Sequence, residues 1–370
     1  MILISIIITV LYLFLIGSFV FGFDKVHLFK LSDIQPKTKF SVIIPFRNEA
    51  ENLPSLLESI KNLNYPKQLF EVFLVDDESD DNSLEIIIKS GVDVITIPNK
   101  RETHSPKKDA ISNTIKYAKN EWIVTTDADC VLPKYWLDSF DEFIQIKDVV
   151  CVVAPVILTN QNSFLNRFQL LDMLSLQGTT MGGFGIKKPF LCNGANFVYK
   201  KDVFNKLNGF EGNTNIASGD DIFLLERVLK TYPKQLHYLK CEHAIVSTKP
   251  QPTWNELISQ RIRWAAKTSA YNNWFGKLTG LIVLLKNAIL IIGLLLSIIG
   301  VFNIKIWLFI LIIKLNIDFF LIYKSATFFN LKNVLVNFVT GFFVYPFFSV
   351  YVAFKSLFSG YHWKGRPFKK

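Results

Sequence analysis

The sequence predicts an α/β domain with a mostly parallel central sheet, held at a membrane by one N-terminal and about three C-terminal transmembrane helices. Two observations predict this fold class. Short β-branched apolar runs alternate with helical segments between residues 39 and 156, and long apolar stretches lie at both ends of the chain. Half of the 370 residues are hydrophobic and the mean hydropathy is +0.28. This composition is typical of membrane proteins rather than of soluble enzymes.

The net charge of +10 is concentrated in the C-terminal part of the chain. Residues 1–277 hold 31 Lys and Arg against 30 Asp and Glu, whereas residues 278–370 hold 10 basic residues against one acid, Asp318. A nucleic-acid surface would instead place the basic excess on the soluble domain. The charge therefore predicts contact with anionic lipid headgroups and no nucleic-acid partner.

The first 23 residues are apolar and uncharged, a length that suits one spanning helix. They lack the basic start and the small-residue cleavage site of a signal peptide, so we interpret them as a retained anchor. Four lysines follow at once, Lys25, Lys30, Lys37 and Lys39. By the positive-inside rule they predict an integral membrane protein whose residues from 24 onward lie in the cytoplasm.

Five strands are predicted in the α/β region, at 40–45, 71–76, 93–98, 121–127 and 148–155. The helices between them are predicted to begin near Asn48 and to cover 82–90, 106–119 and 133–146. Continuous apolar strands that alternate with helices are typical of a parallel sheet covered on both faces. Ligands of such sheets bind beyond the carboxyl ends of the strands, so polar residues there are the candidates for a site.

The rest of the chain is predicted to be helical at 163–176, 220–231 and 254–272, with apolar stretches at 279–302, 304–323 and 334–354. Lys286, Lys314 and Asp318 interrupt these stretches, which indicates that the C-terminal helices pack against one another. The predicted domains are an anchor at 1–23, an α/β domain at 24–277 and a membrane region with a basic tail at 278–370.

The predicted topology contains a conflict. One anchor and three C-terminal spans would place the basic tail outside, against the charge rule. Either one apolar stretch is re-entrant or interfacial, or the tail breaks the rule; 334–354, with Gly341 and Pro346, is the candidate for irregularity.

Polar residues follow the first two predicted strands, at Pro45, Arg47 and Glu49 and at Asp76 and Asp77. A carboxylate at a strand end can accept hydrogen bonds from a ribose or a base. The structural alternative is a helix N-cap, which neighbouring Asp and Asn residues could form equally well. This region has no GxGxxG segment, which argues against a dehydrogenase.

The fourth predicted strand ends in TTDADC, which holds Asp127 and Asp129. Two carboxylates at this spacing on a turn can converge on one hard cation, and oxygen ligands suit Mg²⁺ or Mn²⁺. A metal there would neutralise a diphosphate leaving group. The alternative is an ordinary solvated turn, and the position at a strand end favours the metal pair.

Two helical segments complete the set of candidates. Asp220 and Asp221 open a helix, where they are either partners of the helix dipole or include a general base for an acceptor hydroxyl. Gln260, Arg263 and Trp264 share one helix face in QRIRW. There Arg could bind a diphosphate and Trp could stack on a sugar, while the alternative is a helix at the membrane surface.

Seven segments of the chain resemble, in the same order, those of family-2 glycosyltransferases with the GT-A fold. They are SVIIPFRNEAENL, VDDESDDNS, KKDAI, TTDADC, NGANFVYKKDVFNKLNGF, GDDIFLLERV and QRIRW. Each is weak alone, but accidental agreement of all seven in order is very improbable. The resemblance covers about residues 39–270, and the tail HWKGRPF is also similar to the ends of membrane-bound members.

The resemblance implies a role for each candidate. Pro45 and Asp77, with Asp76, would hold the nucleoside, with Arg47 and Glu49 beside them. Lys107 would lie near the nucleotide, although Ser-Pro precedes it where the family often has Gly. Asp127 and Asp129 would act as the DxD pair with Mg²⁺ or Mn²⁺, and Asp221, next to Asp220, would be the general base. The QxxRW motif, which closes over diphosphate and acceptor, would be Gln260, Arg263 and Trp264.

The predicted function is inverting transfer of a sugar from a nucleotide-sugar, with UDP expected from the resemblance, to a lipid or lipid-linked glycan at the cytoplasmic face. A processive polysaccharide synthase is the first alternative because it shares QxxRW, although three C-terminal segments are few for a polymer channel. The second is a membrane scaffold with an inactive transferase fold, against which the complete set of acids argues. The residues do not identify the sugar or the acceptor.

Overall fold

The computed structural model describes residues 1–159, 162–216, 218–266, 270, 272–358, 361–363 and 366–368. By their contacts the residues form two units. The helical unit comprises Met1–Val26, Asn160–Leu191 and Pro250–Lys370, and the sheet unit comprises His27–Thr159 and Cys192–Lys249. The domain boundaries drawn from the sequence stay predictions, and the contacts differ from them in placing two helices of 24–277 in the helical unit. Parts of the predicted basic tail, at 359–360, 364–365 and 369–370, lie outside the described residues.

The helices and strands are numbered in chain order. The helices are α1 Ile2–Lys25, α2 Leu53–Lys61, α3 Ser83–Ser90, α4 Pro106–Tyr117, α5 Trp136–Ile146, α6 Phe164–Gly185, α7 Lys201–Lys206, α8 Asp220–Thr231, α9 Trp254–Ala266, α10 Trp274–Ile298, α11 Ile304–Phe328 and α12 Phe338–Phe358. The strands are β1 Phe40–Phe46, β2 Phe70–Asp76, β3 Ile95–Pro98, β4 Trp122–Thr125, β5 Cys130–Val131, β6 Cys151–Val153, β7 Val156–Leu158, β8 Phe197–Lys200, β9 Leu236–Tyr238, β10 Val246–Thr248, β11 Tyr361–Trp363 and β12 Arg366–Phe368.

The sheet unit is built around a seven-stranded sheet in the order β3-β2-β1-β4-β8-β6-β9. Strand β8 pairs antiparallel with β4 and β6, whereas the other pairs are parallel, which confirms the predicted mostly parallel sheet. In β1, Ile43 lies opposite Phe73 of β2 and Thr125 of β4. Because β1 has strands on both sides and is buried at every position but Pro45, its sequence is a continuous apolar run. A second sheet, β5-β10-β7, holds the turn that follows β4.

The segment before β1 is held against α5 by two buried carboxylates. Glu142 is 3% exposed and accepts hydrogen bonds from the backbone N–H groups of Ser32, at 2.7 Å, and Ile34, at 3.2 Å. Asp141, 1% exposed, accepts from the N–H groups of Lys37 and Thr38 at 3.2 and 2.8 Å. This segment has no regular backbone pairing of its own, so the carboxylates satisfy donors that a strand would otherwise satisfy.

We expect Glu142→Gln to lower the melting temperature of the purified chain by several degrees. The glutamine side chain keeps the shape of glutamate but loses its charge, and its NH₂ group would face a backbone N–H group that is also a donor. Hydrogen bonds to charged groups contribute about 1.5–3 kcal/mol to stability. The matched control is Glu58→Gln, since Glu58 bonds only the exposed side chain of Asn62. Equal melting temperatures for the two variants, measured by intrinsic fluorescence in detergent, would contradict a stabilising role for Glu142.

In the part of the chain that the structure describes, the helical unit contains four helices that are long and apolar enough to cross a membrane, at Ile2–Lys25, Trp274–Ile298, Ile304–Phe328 and Lys332–Phe358. One lies at the N-terminus and three follow the sheet unit in sequence, as predicted. Lys286 and Lys314 are 0% and 1% exposed, which agrees with the prediction that these helices pack on one another.

One end of the bundle gathers the end of α1, the start of α10, the end of α11 and the start of α12. The Phe19 and Phe275 rings lie 6.1 Å apart, Lys324 pairs with Asp24 at 2.7 Å, and the Phe319 ring lies 5.2 Å from that of Phe338. Consecutive candidate spans therefore run in opposite directions, which the short connections between α10, α11 and α12 also require.

Helix α6 packs along α1 through glycines. A Cβ built on Gly182 would lie 2.5 Å from the Phe19 backbone oxygen, and one on Gly185 only 1.8 Å from that of Gly22. The helix therefore continues to residue 185, beyond the predicted end at 176, because these glycines allow close backbone contact that no larger residue permits.

Candidate active site

The first cluster lies where β1 and β2 end side by side. Phe46 is paired with Asp76, and the Asp77 N–H donates to the Phe46 oxygen at 2.8 Å. Arg47 donates from Nη1 to the backbone oxygens of Asp77 and Glu78, at 2.7 and 2.6 Å. Since parallel strands end at the same edge, the sheet brings together the polar residues that the sequence placed after each strand.

The carboxylates of this cluster have distinct surroundings. Asp77 is 7% exposed and accepts hydrogen bonds from Asn99 Nδ2 at 2.8 Å and Arg101 Nε at 2.7 Å. Asp76 accepts from the Ser79 N–H at 3.0 Å, a local turn bond. Glu49, 7% exposed, accepts from Asn52 at 2.6 Å beside the start of α2. Asp77 is therefore the carboxylate held most firmly by residues from another strand end.

Four more predicted residues meet in a second cluster of the sheet unit. Lys107 Nζ lies 2.6 Å from Asp127 Oδ1 and 3.3 Å from Asp220 Oδ2. The Gly194 N–H donates to Asp221 Oδ2 at 3.0 Å. These residues come from the first turn of α4, the end of β4, the turn before β8 and the first turn of α8. The fold thus joins residues that are up to 114 positions apart in sequence.

The charge of Lys107 is fixed by its partners. Burial lowers the pKa of Lys107, but the neighbouring charges of Asp127 and Asp220 outweigh it and hold the pKa above its ordinary value. Lys107 is therefore a permanent cation, suited to binding an anion and unsuited to accepting a proton.

The start of α8 is positioned by backbone geometry and by α4. Gly219, in the left-handed region with φ 89°, precedes the helix, and a side chain there would be strained. Lys108, 1% exposed, donates to the backbone oxygens of Asn213 and Ile216 at 2.7 and 2.8 Å. These contacts tie the loop before Asp220 to the helix that carries Lys107.

The DxD pair lies at the entrance to β5. Asp127 and Asp129 are both half-buried, and Cys130 Sγ lies 3.6 Å from Asp129 Oδ1. Burial, reinforced by the charges of Asp129 and Asp127, raises the pKa of the Cys130 thiol and so favours its protonated form.

The residues present fit an open divalent-cation site. Among the described residues, no group of three or more His, Cys, Asp and Glu side chains could enclose a metal ion. Mg²⁺, however, typically binds one or two carboxylates and takes its other ligands from substrate phosphates and water. Asp127 and Asp129 supply such carboxylate oxygens beside the cationic Lys107.

Sequence reasoning missed three contributors to the two clusters. Arg101 and Asn99 follow β3 and bind Asp77, and the same strand-end argument applied to β3 would have found them. Gly194 lies in a quoted segment without an assigned role. A Cβ there would lie 2.9 Å from Asp220 Oδ2 and 3.3 Å from Lys107 Nζ. A larger residue would therefore crowd both charged groups, and glycine avoids this contact.

The QxxRW residues lie on α9, in the helical unit. Gln260, Arg263 and Trp264 are all half-buried, as is usual at the edge of a helix. The best-buried cation of this helix is instead Arg261, which pairs with Asp172 of α6 at 2.8 Å and lies 4.2 Å from the centre of the Trp264 ring. The proposed diphosphate and acceptor contacts of Gln260, Arg263 and Trp264 stay predictions.

Residues 41–207 match the family model for glycosyl transferase family 2. The chain is 24% identical over 253 residues to poly-beta-1,6-N-acetyl-D-glucosamine synthase of Staphylococcus epidermidis. The aligned region covers 66% of this chain and 57% of that protein. The chain is 29% identical over 170 residues to undecaprenyl-phosphate 4-deoxy-4-formamido-L-arabinose transferase of Serratia proteamaculans, covering 42% of this chain and 49% of that one. The chain therefore spans about half to three fifths of the length of these two relatives.

A solved structure extends the likeness to the fold. The mannosyltransferase PcManGT from Pyrobaculum calidifontis, determined in complex with GDP-Man and Mn²⁺, is similar with a TM-score of 0.56 and 15% sequence identity, over 96% of this chain and 99% of that chain. The family match covers β1 through α7, and with them Lys107 and the DxD pair. Residues 41–207 therefore match a family-2 glycosyltransferase domain, and the fold is that of the GT-A class.

Proposed function

We propose that the protein is a membrane-bound inverting glycosyltransferase, which transfers a sugar from a nucleotide-sugar to a lipid or lipid-linked glycan on the cytoplasmic face. One observation carries this proposal: Lys107, Asp127, Asp220 and Asp221 converge in the sheet unit, and the first two of them lie within the family-2 match. A cation among carboxylates at that position suits the binding of a diphosphate and the activation of a hydroxyl.

The donor site combines the two clusters of the sheet unit. Pro45, Asp76 and Asp77 hold the nucleoside, with Arg47 and Glu49 supporting the loop between them. Lys107 binds the diphosphate, because it is half-buried and cationic. Asp127 and Asp129 hold Mg²⁺ or Mn²⁺, which would neutralise charge on the departing diphosphate. The complex of PcManGT with GDP-Man and Mn²⁺ supports this reading by analogy of fold.

Asp221 is the general base of the proposed reaction. Its neighbour Asp220 is 8% exposed and is paired with Lys107, so its charge is already neutralised. Asp221 is half-buried, and its carboxylate accepts hydrogen bonds from the Gly194 N–H and, at 2.8 Å, from the Ile222 N–H. It takes the proton of the acceptor hydroxyl, whose oxygen bonds to the anomeric carbon as the bond to the diphosphate oxygen breaks. The attack comes from the opposite face and inverts the configuration.

A lipid-borne acceptor agrees with the helical unit. Four helices suited to spanning a membrane, and basic residues on and after the C-terminal helices, favour an acceptor that is itself in the membrane. The Serratia relative is named for a transfer that involves undecaprenyl phosphate. The Staphylococcus relative is named as a polysaccharide synthase, so repeated transfer to a growing chain is the second candidate.

The test is donor turnover by the detergent-purified chain across a panel of nucleotide-sugars, with Mn²⁺ or with EDTA. We expect release of nucleoside diphosphate from one donor with Mn²⁺, and at least tenfold less with EDTA. Sizing the product then separates one added sugar from a ladder of polymers. Absence of both binding and turnover with every donor would overturn the proposal in favour of an inactive scaffold.

A further inference from the structure

The helical unit contains a partly open cavity of about 260 Å³, and none of the residues assigned to the proposed reaction lines it. Its walls include residues of α6 and of α1, α10, α11 and α12, the four helices that meet at the bundle end described above. Most wall groups are apolar, including Ile16, Phe19 and Leu321. A cavity of this kind inside an apolar bundle suits a hydrocarbon group.

One polar group on the wall has no partner. Thr279, 6% exposed, lines the cavity, and its Oγ1 has no hydrogen-bond partner among the described residues. The hydroxyls of Thr9, Thr180 and Thr327 in the same unit each donate to the backbone oxygen four residues earlier, at 2.6–2.8 Å. Since a buried hydroxyl without a partner is costly, Thr279 points to a ligand with a polar oxygen.

In the deeper part of the cavity, the charges of the wall residues Lys314 and Asp318 neutralise each other. Lys314 Nζ lies 2.5 Å from Asp318 Oδ2, and the Tyr12 hydroxyl donates to Asp318 Oδ1 at 2.6 Å. The Lys314 ammonium also lies 4.8 Å from the centre of the Phe342 ring. The lysine and the aspartate on this wall therefore compensate each other, and this region calls for an uncharged part of a ligand.

The polar and neutral regions lie at different depths. At 1.5 Å per residue, Thr279 lies about 8 Å from the start of α10, while Asp318 and Lys314 lie about 15 and 21 Å from the end of α11. Both helix ends belong to the same end of the bundle. A ligand that fills the cavity therefore has its polar oxygen near that end and its apolar part towards the middle of the spans.

We propose that this cavity binds the hydrocarbon chain of a single-chain lipid phosphate or alcohol, with an oxygen near its head on Thr279 Oγ1. Resting on the proposed function, this lipid is the acceptor. The apolar walls contact the hydrocarbon chain of the lipid, and the Thr279 hydroxyl forms a hydrogen bond with an oxygen near the lipid head. Because Lys314 and Asp318 neutralise each other, the uncharged hydrocarbon can lie beside them.

Gly280 supplies a sharp test. It lines the cavity and is itself exposed, and a Cβ built there meets no atom within 4 Å, so this position accepts a side chain and Gly280→Phe adds a ring at the cavity wall. The control is Leu281→Phe, on the next residue of the same helix, which is 51% exposed. Thr279→Val removes the hydroxyl at nearly constant volume.

The probe is decaprenyl phosphate with a diazirine in its chain, photolysed with the full chain in detergent. We expect labelled peptides from α10 and α11, at least tenfold less labelling in Gly280→Phe, several-fold less in Thr279→Val and no change in Leu281→Phe. Unlabelled decaprenyl phosphate should compete, and dioleoylphosphatidylglycerol at the same concentration should not. Undiminished labelling of Gly280→Phe overturns the site, and equal competition by the phospholipid overturns its assignment to the acceptor.

Donor turnover separates this inference from the function on which it rests. Hydrolysis of nucleotide-sugar by the wild-type chain, without lipid, reports on the sheet unit alone. If the wild type turns over no donor but labels as expected, the proposed function fails and the lipid site stands. If it turns over donor and Gly280→Phe transfers sugar to decaprenyl phosphate with an unchanged KM, the lipid site fails and the proposed function stands.

Discussion

Asp221→Asn is expected to lower the turnover number for sugar transfer by about 10²–10⁴-fold, the range typical of a lost general base. The asparagine oxygen can still accept the hydrogen bond from the Gly194 N–H, now 3.0 Å from Asp221 Oδ2, so the turn before β8 keeps its place. The amide cannot take a proton from the acceptor. Donor affinity is therefore expected to stay within a few-fold of wild type.

The measurement pairs transfer kinetics with donor binding by calorimetry. Asp202→Asn is the matched control, because Asp202 is also an acid in the first turn of a helix but is exposed and pairs with Lys206 at 3.0 Å on the surface. Near-normal turnover in Asp221→Asn would remove it from the role of base. Loss of donor binding together with turnover would instead assign it to the donor site.

Asp129→Ala is expected to reduce metal-dependent donor turnover by about 10²–10³-fold, as for other groups that stabilise charge in a transition state. Asp127 remains, but its Oδ1 pairs with Lys107 Nζ at 2.6 Å. The cation is therefore left with one carboxylate, of which one oxygen is already paired. We expect the Mn²⁺ concentration for half-maximal activity to rise at least tenfold.

A titration of activity against Mn²⁺ checks this expectation. The control is Asp93→Ala, an exposed acid between α3 and β3. An unchanged Mn²⁺ requirement in Asp129→Ala would exclude Asp129 as a metal ligand. Activity that persists in EDTA for the wild type would exclude a metal role for the whole pair.

Much of the fold follows from local patterns. The start of α8 at Asp220 and the end of β2 at Asp76 agree with the sequence-based boundaries, because a cap signal or a polar residue ends each apolar pattern sharply. Helix α6 was harder to predict, since the glycines between 178 and 185 are typical of a break. Only their contacts with Phe19 and Gly22 explain why the helix continues.

Strand β8 shows a second limit of local patterns. Phe197–Lys200 is only four residues long and lies among turns, so its periodicity is weak. Its place between β4 and β6 depends on pairing with strands that lie about 50 to 75 residues earlier in the chain. That insertion makes the sheet mixed and positions Gly194 beside the acids of α8.

The sequence by itself determined that polar residues stand at the ends of β1, β2 and β4 and at the start of α8, because apolar runs stop there. Tertiary structure alone decided which of them meet: Lys107 with Asp127 and Asp220, and Arg101 with Asp77. It also decided that Lys286 of α10 and Lys314 of α11 are buried. The physical reason is that residue type and spacing set local conformation, whereas charge pairing depends on strand order and helix packing, which join positions far apart in the chain.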